Sequence, residues 1–268
     1  MSDSSEGKLK MSDTGSTTPV QRHGDVWLKR DDLFTSYGQR GGKVRGCLLM
    51  TSWAQWAGYE RLITAGSRHS PQVQIVAGIA HSLGMSCEVH VPAGETTPEI
   101  AKAEGYGATV VRHRPGYNSV IVARAREAAL VQGAYLIPFG MEFEGAVSST
   151  GAQVKSALEA RPSRIVMPVG SAMSMCGVLQ GLEDCGDYDT EVVGVCVGAD
   201  PTRRMARWAP PFWYARARLV KALVPYSTRV DANVDGVSLD PVYEAKCLPF
   251  LQPDDLLWIV GNRAEVTE

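Results

Sequence analysis

"YGQRGGKVRGCLLM", residues 37–50, sets four glycines around one lysine just before the chain turns apolar. Glycines that open a helix let backbone N–H groups approach a ligand closely, so such a run points to an anion cradle. The spacing is not that of a phosphate-binding P-loop, which needs four residues between its glycines and a Ser or Thr after its lysine. Lys43 falls instead on the first turn of a predicted helix, and its amine needs another task.

Outward from this stretch, short apolar runs alternate with longer segments of helical period. Strands are predicted over 26–28, 61–65, 87–91, 108–111, 135–138, 165–168, 192–197 and 256–260. Helices are predicted over 43–57, from Ser70 and Pro71 to Gly84, and over 98–104, 118–131 and 151–160. Pro71 suits a first helical position, and Gly58 and Gly84 suit helix ends. The alternation is that of parallel sheets covered by helices, and implies an α/β fold of two lobes with a cleft between them as the default ligand site.

The chain has 268 residues, 44% of them hydrophobic, enough for a substantial core. A formal net charge of -2 supplies no general basic field, so nucleic-acid binding would need a local patch. Cys47, Cys87, Cys176, Cys185, Cys196 and Cys247 are scattered without a CxxC pair, mostly among apolar neighbours. They read as buried free thiols in a reducing cytoplasm rather than disulfides or a zinc site. No metal site is expected. Residues 1–20, rich in Ser, Thr, Gly and Asp, read as a disordered tail, and no apolar run is long enough to cross a bilayer.

Three loops fall at strand ends or helix starts: Gly41-Gly42-Lys43, "AGSRHSPQ" at 65–72 and "PVGSAMSMCG" at 168–177. With "LKRDDL" at 28–33, "GGKVR" at 41–45, "AHSLGMSCEV" at 80–89 and "LDPVYEAK" at 239–246, their order resembles the pyridoxal 5'-phosphate enzymes of the tryptophan-synthase-like fold type II. Within that family the motifs resemble the 1-aminocyclopropane-1-carboxylate deaminase and D-cysteine desulfhydrase branch. The resemblance spans about four-fifths of the chain. It implies residues 21–51 and 139–268 as a large cofactor-binding lobe and 52–138 as a small α/β lobe.

The resemblance also assigns roles. Lys43 is implied as the Schiff-base lysine, with an amine whose pKa is lowered by desolvation and a nearby helix amino end. Gly170, Ser171, Ala172, Met173 and Ser174 are implied as the phosphate loop, binding largely through backbone N–H groups. Glu244 is implied at the pyridine nitrogen, as in the deaminase branch, where it keeps the ring protonated and electron-withdrawing. Tyr243 is implied near the reacting carbon as an acid or base. Ser67, His69, Ser70 and Gln72 are implied on the substrate side, and Asn262 beside the ring.

The sequence departs from the family at three places. Arg68 replaces the usual asparagine, and would hold a guanidinium at the cofactor's phenolic oxygen or turn away to grip an anionic substrate. The C-terminal loop reads "VGNR" at 260–263. The segment 201–221 interleaves Arg203, Arg204, Arg207, Arg216 and Arg218 with Trp208, Phe212, Trp213 and Tyr214. That segment reads as a surface for phosphates and bases, an amphipathic helix or a subunit contact. Three functions follow as expectations: a deaminase- or lyase-like enzyme acting at the α-carbon of an amino acid through an external aldimine; the same chemistry on an amino-acid adduct of a nucleotide or DNA base, as in virus-type base hypermodification; and a cofactor-binding protein without turnover. The family implies a cytoplasmic homodimer.

Overall fold

The computed structural model describes residues 14–261. They form an α/β fold in two compact units, one comprising Thr35–Gln39 and Lys43–Glu142, the other Gly15–Phe34, Arg40–Gly42 and the chain from Phe143 onward. The described chain opens with β1 (Val20–His23) and β2 (Val26–Arg30), then a short ribbon of β3 (Thr35–Ser36) and β4 (Gln39–Arg40).

The first unit continues through α1 (Lys43–Trp56), β5 (Arg61–Ala65), α2 (Pro71–Ser82), β6 (Ser86–Pro92), α3 (Pro98–Gly105), β7 (Thr109–His113), α4 (Asn118–Gln132) and β8 (Tyr135–Ile137). Its sheet runs β7-β6-β5-β8, all parallel. Helix α2 starts where the sequence places it: the Ser70 side chain accepts from Gln72 N at 3.3 Å and Pro71 follows as the first helical residue. The cluster of α1 with this unit starts at Lys43, whereas the sequence reading sets the lobe boundary at residue 52.

The second unit adds α5 (Glu144–Gly151), α6 (Val154–Ala157), β9 (Arg164–Val169), α7 (Met173–Asp184), β10 (Glu191–Cys196), α8 (Thr202–Trp208), β11 (Ala217–Lys221), the hairpin β12 (Asn233–Val234) and β13 (Val237–Ser238), and β14 (Leu256–Ile259). Its sheet runs β1-β2-β14-β9-β10-β11, parallel except for the β1–β2 pair. Strand β14 is buried along its whole length and β9 from Ile165 on. Strands covered on both faces need apolar residues at every position, which is why they read as continuous runs rather than alternations.

Three expectations need correction. The tail does not reach residue 20: Thr18 is buried, its N donates to Gln153 Oε1 at 3.1 Å, and its carbonyl accepts from the buried Lys29 Nζ at 2.5 Å. Residues 1–13 of that tail lie outside the described residues. The helix expected over 151–160 is two shorter ones, with Gly151 ending α5 rather than starting a helix. The segment 201–221 is not one amphipathic helix, since it holds α8, a 3-10 turn (Trp213–Ala215) and the edge strand β11. Among the described residues no helix is long and apolar enough to cross a membrane. All six cysteines are free; Cys47, Cys87, Cys176 and Cys247 are buried, Cys196 is half-buried, and Cys185 is exposed, against the expectation of burial.

Candidate active site

In the first unit Lys43 opens α1, half-buried, with Val44, Arg45, Gly46, Cys47 and Leu48 buried behind it. The loop after β5 is a tight turn: Ser70 N donates to Ser67 O at 3.0 Å and Gly66 N to His90 O at 3.0 Å. A side chain on Gly66 would meet Val73 Cγ1 at 2.8 Å, so the loop closes onto α2 only because position 66 has none. Ser67, Arg68, His69 and Ser70 are half-buried at its rim. The Arg68 guanidinium lies over Gly94 and donates to Glu95 O at 3.1 Å, while its carbonyl accepts from Thr97 Oγ1 at 2.5 Å. Gln72 is buried, with Nε2 donating to Thr64 Oγ1 and Pro138 O, both at 2.9 Å, and Oε1 accepting from Gly140 N at 2.8 Å. Its amide is a strut joining the ends of β5 and β8.

In the second unit one contact explains why the "KRDDL" and "GGK" motifs travel together. A Cβ on Gly42 would overlap the buried Asp31 carboxylate, and Gly42 N donates to Val260 O at 2.8 Å. Gly41 has φ +103, which L side chains rarely adopt, and a Cβ there would lie 3.2 Å from Val260 O. The glycines thus let three segments meet backbone to backbone.

The loop after β9 turns sharply into α7. Ala172 is left-handed (φ 68, ψ -8) and Met173 begins α7, a succession that turns consecutive N–H groups into one concavity. Gly170 lies against Tyr243: a Cβ there would be 3.0 Å from Tyr243 Cε1. Asp240 Oδ1 accepts from Val242 N at 2.9 Å and Tyr243 N at 3.0 Å, fixing the turn that presents Tyr243. Tyr243 Oη is 3.2 Å from Tyr226 Oη, and the buried Lys246 donates to Pro225 O and Tyr226 O at 2.7 and 3.0 Å. The sequence reading missed Tyr226. Asp240 carried a signal in its Asp-Pro turn dipeptide.

Glu244 is 1% exposed. Oε1 accepts from Val260 N at 2.9 Å and Gly261 N at 3.2 Å, whereas Oε2 is buried with no hydrogen-bond partner among the described residues. Burial, and next the Asp240 carboxylate, push its pKa well above the ordinary value of 4.5, against the lowering effect of the backbone donors. Such an oxygen calls for a buried N–H donor. Asn262 lies outside the described residues.

Comparison with known proteins identifies relatives of the chain. The family described as "Pyridoxal-phosphate dependent enzyme" matches residues 12–241. A mouse L-serine dehydratase/L-threonine deaminase is 29% identical over 175 residues, 63% of this chain and 51% of that protein, so this chain spans about half the length of that relative. The D-cysteine desulfhydrase of Salmonella paratyphi A is 27% identical over 271 residues, covering 84% of this chain and 79% of the relative. In fold, the crystal structure of an ACC deaminase homologue superposes with a TM-score of 0.81 at 20% identity, over 96% of this chain and 92% of that one. With that family matching most of its length, the chain belongs to the pyridoxal-phosphate-dependent enzymes.

Proposed function

We propose that the chain is a lyase- or deaminase-like enzyme acting at the α-carbon of an amino-acid substrate. The observation that carries this reading is the buried Glu244 oxygen without a hydrogen-bond partner among the described residues. It fits a protonated pyridine nitrogen, and the Ala172–Met173 nest fits a phosphate dianion. Pyridoxal phosphate held this way supplies an electron-poor ring that takes up the electron pair left when a bond to the substrate α-carbon breaks.

The chain's own residues then divide the work. Glu244 would face the ring nitrogen with Oε2, while Val260 N and Gly261 N fix its other oxygen. Residues 170–174 bind the phosphate. Lys43 would hold the cofactor covalently through Nζ and would serve as the base for the substrate α-proton. Tyr243 Oη, paired with Tyr226 Oη, serves as a second proton donor or acceptor. Ser67, His69 and Ser70 receive the substrate carboxylate, Gln72 holds their loop in shape, and Arg68 braces the 94–97 turn while lending the loop a positive charge. The relatives' names support the class, and the resemblance supports a cytoplasmic homodimer.

The experiment is borohydride reduction of the purified protein followed by peptide mass mapping, with assays for 2-oxo acid release from a panel of free amino acids. The reduced pyridoxyl group is expected on Lys43 and absent from Lys43→Ala. An adduct on another lysine overturns the assignment. A Lys43 adduct without turnover of any substrate favours the non-catalytic reading.

A second reading keeps the chemistry and changes the substrate to an amino-acid adduct on a nucleotide or DNA base. It is favoured by α8, which reaches the phosphate loop through Arg204 while Arg203, Arg207, Phe212 and Tyr214 are exposed. Ion pairs of Arg216 with Asp187 (3.1 Å) and Arg218 with Glu191 (3.4 Å) reduce the basic field of the segment. If this reading holds, Arg203→Ala with Arg207→Ala weakens single-strand binding and flattens its dependence on salt by about 0.7 per lost phosphate contact. Failure of the wild type to bind nucleotides, single strands or duplexes, with a free amino acid still consumed, removes it.

A further inference from the structure

Helix α8 is docked on α7 by sulfur: Cys176 Sγ lies 3.6 Å from Sδ of the buried Met205. Its start is fixed by Asp200 Oδ1, which accepts from Thr202 N at 2.9 Å and Thr202 Oγ1 at 2.6 Å. This anchoring sets the reach of the neighbouring Arg204, whose Nη1 donates to Ser171 O at 3.2 Å.

The carbonyl bonded in this way belongs to the peptide that enters the anion nest. In a trans peptide the C=O and the following N–H point to opposite sides. Holding Ser171 O on a guanidinium therefore turns Ala172 N–H the other way, toward the concavity that the left-handed Ala172 forms with the first turn of α7. The guanidinium also adds its positive charge to the loop.

We propose that Arg204 is a positioning residue for the cofactor phosphate: it fixes the Ser171–Ala172 peptide in its anion-binding orientation and supplies the fixed charge that offsets a phosphate monoester dianion. This rests on the cofactor reading above and goes beyond it, because that reading assigns the phosphate to the backbone of 170–174 alone. It also gives α8 a task that requires no nucleic acid.

The test compares pyridoxal phosphate with pyridoxal, which lacks the phosphate, by equilibrium titration of cofactor-free protein followed through absorbance. Arg204→Ala is expected to weaken pyridoxal phosphate by about ten- to a hundredfold, the range for losing a charge-assisted hydrogen bond, while leaving pyridoxal unchanged. Arg204→Lys, which keeps the charge without the planar fork, is expected between wild type and Ala. Equal weakening of both aldehydes shows a general loss of loop order and overturns the phosphate role. So does an Arg204→Ala protein that binds both as the wild type does. A wild type that binds pyridoxal phosphate no more tightly than pyridoxal overturns the underlying phosphate-loop reading, an outcome distinct from either of these.

Discussion

Glu244 places one oxygen on two backbone N–H groups and keeps the other buried, without a hydrogen-bond partner among the described residues. The carboxyl is held above its ordinary 4.5 by burial and by Asp240, so cofactor-free native protein retains a proton there that the unfolded chain has released. Stability from this group is therefore full below about pH 4.5 and is lost as pH rises toward the raised value, by up to about 1.4 kcal/mol per pH unit within that window. Denaturant melts of cofactor-free wild type and Glu244→Gln are expected to agree near pH 4.5 and to diverge above it, with Gln the more stable. Parallel stabilities from pH 5 to 8 would refute the raised carboxyl. In loaded enzyme the order reverses in function: Glu244→Gln is expected to lower turnover about ten- to a hundredfold. Lys43 and Glu244 stand out in the sequence because each sits in a short motif. Tyr226 was not, because its partner Tyr243 lies 17 residues away and nothing local marks the pair.

At the scale of elements, the α5–α7 contact shows what periodicity misses. Helix α5 reads EGAVSSTG, poor in the long apolar residues that define a face, so the sequence reading starts its helix at Gly151, where α5 ends. The small residues serve packing: a Cβ on Gly181 would overlap Gly151 O and lie 2.5 Å from Val154 Cγ2, and one on Gly177 would lie 2.7 Å from Val147 O. Much of what it would meet is backbone, which cannot rotate aside. Gly181→Ala is therefore expected to destabilise the protein by about 1–3 kcal/mol despite the better helix propensity of alanine, measured as a shift in urea midpoint at constant slope. A neutral or stabilising substitution would mean that the helices separate at little cost. Helices such as α2 and α3 were read closely because Ser70-Pro71 and Thr97-Pro98 combine a capping side chain with a proline at the first turn.

Across the whole molecule the α/β class followed from alternating runs, but strand order did not. The long-range pairings of β14 with β2 and β9 join segments more than 200 residues apart in the first case and about 90 in the second, far beyond any local signal; they are set by which apolar faces remain to be covered. The edge strand β11 was hidden because Arg218 and Lys221 leave it half-exposed, with no continuous apolar run. The thiols sample this architecture in both units. Cys47 and Cys87 are buried in the first, with thiols pushed up to about 12 chiefly by burial, and Cys176 and Cys247 are buried in the second. Disulfide exchange needs an accessible thiolate, so burial protects all four, and a thiol raised by burial protects Cys47, Cys87 and Cys247 a second time. With a chromogenic disulfide reagent at pH 8, the native protein is expected to release one fast equivalent from exposed Cys185 and a slower one from half-buried Cys196, whose thiol is also raised by burial and then by Asp200. The other four are expected to react only on unfolding, and Cys185→Ser is expected to abolish the fast phase alone. Rapid native labelling of Cys176 or Cys247, read by peptide mapping, would show that α7 or the segment after Glu244 opens on the reagent's timescale and that the packing described for the second unit is too tight.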